Sequence, residues 1–268
     1  MKDLVKPALT KLGVWGMMAR GYRPALRWSQ RVRYAAAVAL GVNLAGQLRY
    51  LPPDRWRPTI FVRISSITHF MDEFAHRKLV KFVMDGDWDI EATPNLAGLY
   101  DVHVGFRTIY EMFVDQKAID ETSQYQQIAH ILRETAEPYR HEGNTVYTVE
   151  QAVQYLRKYE RIYHDMKDNG YKTQAELGDV SALYEVNVCV GRHGEIIYLA
   201  HGTHRLAIAL ILGIECIPVV VRSVHRHWAE SCFKEYGGGV LEAIHKGIQE
   251  IDSRRLVDAA GTEVLSRC

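Results

Sequence analysis

The chain reads as a mixed α/β or α+β protein, and three observations carry that reading. The run "YEVNVCVGRHGEIIYLA", Tyr184 to Ala200, holds an alternating segment, a turn with Gly191 and Gly194, and a second apolar segment, the pattern of a β-hairpin. A glycine-led turn then opens an apolar helix from about Thr203 to Leu212, stopped by Gly213, and "CIPVVVR" follows as another strand. Upstream, the β-branched run "TIFVRISSI", Thr59 to Ile67, reads as the first strand. Strand, turn, helix and strand in close succession make a unit in which the helix covers a sheet.

Ahead of that unit, residues 1–57 form a basic, aromatic-rich arm. It holds eleven Lys and Arg against Asp3 and Asp54, a net of +9, which leaves 22 basic and 30 acidic residues, a net of −8, for the remainder. Trp15, Met17, Met18, Tyr22, Trp28 and Tyr34 are interleaved with those cations. Two readings stand: an interfacial segment on an anionic membrane surface, or a helical arm packed on the body with its arginines solvated. The apolar stretch "AAAVALGVNLAG", Ala35 to Gly46, is too short to span a bilayer, which needs about 20 apolar residues, and it lacks a secretory cleavage pattern. The four cysteines form no C-x-x-C pair, which argues against zinc and a disulfide framework and fits a reducing cytoplasm.

The stretch from about 68 to 180 reads as mainly helical. Its clearest element is "TVEQAVQYLRKYERIYHDMKDNGY", where Thr148 and Gln151 make a capping box and Asn169-Gly170 supplies the stop. Tyr155, Tyr159 and Tyr163 fall on one face of that helix, a spacing that suits core packing better than a base-stacking platform. After Trp228 a helical tail runs over 229–268, with "VLEAIHKGIQEI" behind Gly237–Gly239.

The chemistry concentrates at "AHGTHR". The helix opened by Thr203 is apolar nearly all round and should be buried, yet its first-turn N–H groups need acceptors. Gly202 would let backbone approach a ligand, Thr203 would cap, and His204 and Arg205 would add donors to a phosphate. The bland alternative is a tight turn with satisfied core histidines.

The stretch "GTHRLAIALILGIECIPVVV" resembles the signature of the ParB/sulfiredoxin superfamily, in which a Gly-x-His-Arg turn opens a helix and an "LGI…IPV" strand follows. "VMDGDWDI", Val83 to Ile90, and Gly170, Tyr171 and Gln174 are similar to a poorly characterised ParB-like branch with Gly-Asp-Trp-Asp and Gly-Tyr-x-x-Gln motifs. The resemblance implies an α+β fold: a small mixed sheet with covering helices over 58–228, a helical insertion at about 68–180, and a signature turn that binds nucleotide phosphates. Its members include CTP-binding partition proteins, ATP-using sulfiredoxins and kinases of free serine. Thr203 stands where sulfiredoxin needs a cysteine, which removes that chemistry, and His201 stands where relatives often place an acid. Partition proteins carry a DNA reader after this domain; only some forty residues follow Trp228 here, without a basic surplus.

Asp85, Asp87 and Asp89 share one short turn, where alternating carboxylates hold Mg²⁺, supply a general base, or cap local backbone. The expected roles fall on Asp87 and Asp89, as metal ligands or catalytic acid, with His204 beside them as a catalytic group. Asp72 and Glu73 lie where serine kinases of this fold place a catalytic acid. His201, His225 and Gln174 are candidate substrate contacts, and Gly202, Thr203, His204 and Arg205 the phosphate site.

Two functions follow as expectations. The first is a nucleotide-dependent phosphotransferase using ATP or another nucleoside phosphate with Mg²⁺ on a small-molecule or lipid-linked hydroxyl acceptor. The second is a non-enzymatic, CTP- or ATP-gated module acting on DNA, for which the absent reader makes nucleic acid the less favoured partner. Either would be cytoplasmic, with the arm allowing a peripheral position at the inner face of a membrane.

Overall fold

Segments far apart in sequence meet in one mixed sheet. The computed structural model describes residues 30–49, 51, 57–71, 81–135, 137–141, 144–178, 185–252, 255–257 and 263–265. Asp72, Glu73, Tyr184 and residues 1–29 of the basic arm lie outside them.

In chain order, residues 30–39 form helix α1 and Leu44–Arg49 form α2. Strand β1 (Thr59–Arg63) passes through a single 3₁₀ turn, Ile64–Ser66, into β2 (Ile67–Phe70). Two short strands, β3 (Val83–Met84) and β4 (Thr93–Pro94), precede helices α3 (Leu99–Val102), α4 (Val104–Phe113) and α5 (Ser123–Glu134). A separate hairpin of β5 (Tyr139–His141) and β6 (Asn144–Val146) leads into the long helix α6 (Val149–Asn169). Then come β7 (Val186–Val190), β8 (Ile196–Leu199), α7 (Thr203–Ile211), β9 (Cys216–His225), α8 (Arg226–Tyr236) and α9 (Val240–Ile251). A last small pair, β10 (Arg255–Val257) and β11 (Glu263–Leu265), is antiparallel.

The main sheet has the order β1-β9-β7-β8-β2-β4, with β3 also paired to β9. The expected hairpin is β7–β8, antiparallel from Asn187↔Leu199 to Val190↔Ile196, and β9 lies parallel to β7 on its other side. These central strands are covered on both faces, which is why β7 and β9 read as near-continuous apolar runs. Strand β1, at the edge, alternates exposed and buried residues instead.

The run Thr59–Ile67 corrects one expectation, because it is not a single strand. Ser66 Oγ donates to the Arg63 carbonyl at 2.7 Å, closing a local turn that competes with extension. The chain therefore leaves β1, antiparallel to β9, and re-enters the sheet as β2, parallel to β8, with three strands between the two. The insertion at 68–180 likewise contains β3, β4 and the β5–β6 hairpin besides its helices.

Alternation divides the sheet into two faces. Val186, Val188, Val190, Ile196, Tyr198 and Val219 point into the main core with Leu206 and Ile208 of α7, Phe106 and Ile109 of α4, and Leu156 and Tyr159 of α6. Cys189, Ile197 and Leu199 face the other way, beneath Met71, Trp88 and Ala92. Leu206, Ala207, Ile208 and Ala209 have no exposed surface, so truncating Leu206 would cost about 2–5 kcal/mol. The Tyr stripe behaves as core: Tyr159 is fully buried and Tyr163 stacks on Phe113 at 4.0 Å.

The described part of the arm packs on the body through α9. Gln47 Oε1 accepts from the Val240 N–H and the Tyr34 hydroxyl from the Leu241 N–H, each at 2.9 Å, filling two of the acceptor places a helix start leaves open. No helix among the described residues is long and apolar enough to cross a membrane. Cys189 and Cys232 are buried free thiols, whereas Cys216 is held in a disulfide, so the cysteine pattern no longer argues for a reducing compartment.

Candidate functional site

The start of α7 sits where β7 begins and β8 ends. Gly202 adopts the left-handed conformation at φ 71°, and a Cβ there would lie 2.7 Å from the backbone nitrogen of Val186. Its glycine is thus required by the chain's own β7, not by a ligand's approach. Thr203 does not cap; its hydroxyl pairs with the Tyr198 hydroxyl at 2.8 Å inside the core. The helix consequently starts with no side-chain cap and no acid in its first turn. His201 closes the end of the hairpin, its carbonyl accepting from the Asn187 N–H.

Arg205 is engaged within the protein. Its Nη1 donates to Glu185 Oε2 at 3.1 Å, its Nη2 donates to the Lys172 carbonyl, and its guanidinium lies 4.1 Å from the Tyr171 ring centre. The same Glu185 carboxylate accepts from the Gln174 N–H. The Gly170–Gln174 stretch is therefore fastened to the first turn of α7 by a buried ion pair, with side-chain exposures of 10% for Arg205 and 3% for Glu185. Gln174 contributes its backbone to that clamp. Burial pushes the Glu185 carboxyl above the usual range, partly opposed by the Gln174 and Arg205 bonds. Glu185 was not among the expected residues, although a lone acid heading an apolar strand demands a buried partner.

His204 faces the helical insertion. Its ring stacks on Tyr159 at 4.0 Å and 24°, and its Nε2 is sealed from solvent with no hydrogen-bond partner. Burial, followed by the charges of Lys158, His141 and His103, holds its proton affinity well below the usual histidine range. None of those three neighbours was singled out by motif, because each comes from a different part of the insertion.

The Gly-Asp-Trp-Asp turn occupies the far end of β7. Pairing of β3 with Val224 and His225 of β9 sets the turn against the β7–β8 hairpin tip. There Arg192 donates to Asp89 through its backbone N–H (2.8 Å), Nε (2.9 Å) and Nη2 (2.7 Å), and Nη2 also reaches Asp87 at 2.8 Å. Asp89 is 5% exposed and Asp87 80% exposed, so only the first is a buried charge. Burial would raise the Asp89 carboxyl, but the Arg192 bonds outweigh it and hold it below the usual range. Asp85 is lowered too, by the Gly86 N–H and by Arg226, which it meets at 2.8 Å. His225 is buried; its Nε2 donates to the Gly86 carbonyl (2.8 Å), while its Nδ1 accepts from the His227 N–H (3.0 Å) and starts α8. Trp88 covers the smaller apolar cluster.

These contacts correct the expected assembly. Five residues of β7 separate the aspartate turn from Gly202; at about 3.3 Å per residue, the strand alone holds the two about 13 Å apart. Asp87 and Asp89 are thus not placed beside His204 or the Gly202–Arg205 turn, and Arg192 engages both oxygens of Asp89 and Oδ1 of Asp87. They do not fit a magnesium site serving phosphates at α7, and no group of three or more metal-ligating side chains occurs among the described residues. His225 belongs to the aspartate end as well, away from any ligand at α7.

Comparison with family models, with curated proteins and with solved structures gave no match to this chain.

Proposed function

We propose that the chain is a nucleotide-binding protein of the ParB/sulfiredoxin-like kind, taking the phosphates of a nucleoside phosphate at the first turn of α7. One observation carries the reading. The Gly-x-His-Arg turn and the Gly-Tyr-x-x-Gln stretch, joined by an Arg205–Lys172 contact across 33 positions, form one clamped unit around an uncapped helix start. Within it, Arg205 and Glu185 set the shape, and the free backbone N–H groups with the helix dipole provide the anion-binding end.

Of the two uses of such a site, gated binding is favoured over phosphoryl transfer, because Asp87 and Asp89 stand at the other end of β7, where both pair with Arg192. A phosphotransferase would need a different carboxylate and a different source for any Mg²⁺ ligand. Titration calorimetry with ATP, ADP and CTP, each with and without Mg²⁺, tests the proposal. At least one should bind without turnover. If none binds at up to about 1 mM, an affinity of only about 4 kcal/mol, the proposal fails. Turnover of bound ATP that survives Asp89→Asn would transfer the reading to a phosphotransferase with another base.

A further inference from the structure

Helix α1 of the basic arm is fixed on the body by one side. The Tyr34 hydroxyl accepts from the Leu241 N–H at 2.9 Å, and a Cβ on Gly239 would lie 3.1 Å from that hydroxyl and 3.3 Å from Val38 Cγ2. Gln47 of α2 holds the same start of α9, its Oε1 taking the Val240 N–H while its Nε2 donates to the Val42 carbonyl at 2.9 Å. The end of α1 is set by a Schellman turn: the Val42 N–H donates to the Ala37 carbonyl and the Gly41 N–H to that of Val38, with Gly41 left-handed at φ 64°. These contacts settle which side of α1 looks inward.

The other side is apolar and open. At about 100° per residue, the side opposite Tyr34, Ala37 and Val38 carries Val32, Ala35, Ala36 and Ala39, followed by Leu40 at the helix end. The Leu40 N–H still donates to the Ala36 carbonyl, so its side chain keeps the helical register. All five residues are exposed, Val32 by 49% and Leu40 by 80%, the highest value of any large apolar side chain among the described residues. Arg33, also exposed, borders this face next to Leu40. The sequence around it is one-signed: no Asp or Glu stands between Asp3 and Asp54, a stretch with eight Lys and Arg. An outward apolar side with cations at its border is the form of a helix that lies in a membrane interface.

We propose that α1 docks the protein on an anionic lipid surface, lying in the membrane plane with Val32, Ala36 and Leu40 at the boundary of headgroups and acyl chains and Arg33 among the lipid phosphates. The arm is then both packed on the body and laid on a membrane, by opposite sides of one helix. Nucleic acid would answer the charge but leave Val32 and Leu40 in water. A second copy of the chain would cover those two but set one cationic arm against another. An anionic bilayer satisfies both sets of groups. This surface shares no residue with the α7 turn, so it stands or falls apart from the nucleotide reading.

Flotation of the full chain with lipid vesicles is the test. It should bind phosphatidylcholine vesicles containing about one third phosphatidylglycerol far better than phosphatidylcholine alone, and more weakly as NaCl rises from about 0.1 to about 0.5 M. Val32→Gln combined with Leu40→Gln should weaken partition about tenfold or more, and Arg33→Gln about fivefold. Because these side chains are exposed, the denaturant midpoint should stay in place in each variant. Absence of binding to the anionic vesicles overturns the proposal, as does equal binding to phosphatidylcholine alone. Binding that the double variant leaves unchanged also overturns it, by assigning the attraction to charge without the apolar face. A dimer that sedimentation detects and the double variant dissociates, with no vesicle binding, overturns it in favour of a second copy.

Discussion

Both ends of β7 are built from charged side chains, and they use them in contrary ways. At the hairpin tip, Asp87 and Asp89 share Arg192 while Asp85 meets Arg226, so each carboxylate of the turn has an arginine partner. At the start of β7, Glu185 cancels Arg205 in a buried pair, and burial keeps the neighbouring His204 ring neutral. The acid-rich stretch fixes a loop and seats Trp88, whereas the turn with fewer charges in sequence is fastened by a buried ion pair. A motif's charges identify a site only after their partners have been counted.

That contrast can be broken most severely at Arg205. Arg205→Met would leave Glu185 buried without its counter-ion and release the Gly170–Gln174 stretch, a loss of about 3–5 kcal/mol. The denaturant midpoint measures it; a near-neutral change would mean that Arg205 is held for a ligand. Next comes Arg192→Ala, which strands the 5%-exposed Asp89 but leaves Asp87 in solvent. The expected cost is about 2–3 kcal/mol, with nucleotide affinity unchanged in the folded fraction. Loss of nucleotide affinity with retained stability would bring the aspartate turn back into the binding machinery. The smallest effect belongs to Asp87→Ala: an 80%-exposed carboxylate should contribute under about 0.5 kcal/mol and nothing to binding. A metal-dependent loss of nucleotide binding in that variant would restore the discarded magnesium assignment.

The parts of the fold legible in sequence were those decided by local pattern. The β7–β8 hairpin, α7 and its glycine stop, and the capped start of α6 at Thr148 all follow from period and punctuation within a few residues. The division of Thr59–Ile67 into β1 and β2 was not legible, because a hydroxyl turn at Ser66 competes with a β-branched run and only the partner strands decide which prevails. At the site, Gly202 to Arg205 announced themselves, but their work is assigned by distant residues. Nothing near Lys158 or His103 in sequence indicates that α6 and α4 deliver them to His204. Nothing around "GDWD" reveals that Arg192, over a hundred positions later, consumes its carboxylates.

The caps on α9 have a consequence for the order of synthesis. Val240 and Leu241 find their acceptors on Gln47 and Tyr34, 193 and 207 positions earlier. Strand β1 waits almost as long, since Thr59 pairs with Val220 and β9 is its partner in the sheet. A ribosome therefore delivers the receiving surfaces well before the elements that cover them. Until β9 is made, β1 lacks its sheet partner and offers an unpaired edge, the kind of surface on which nascent chains join one another. The arrival of Cys216–Ile251 pairs β1 through β9 and brings α9 to its acceptors on the earlier helices.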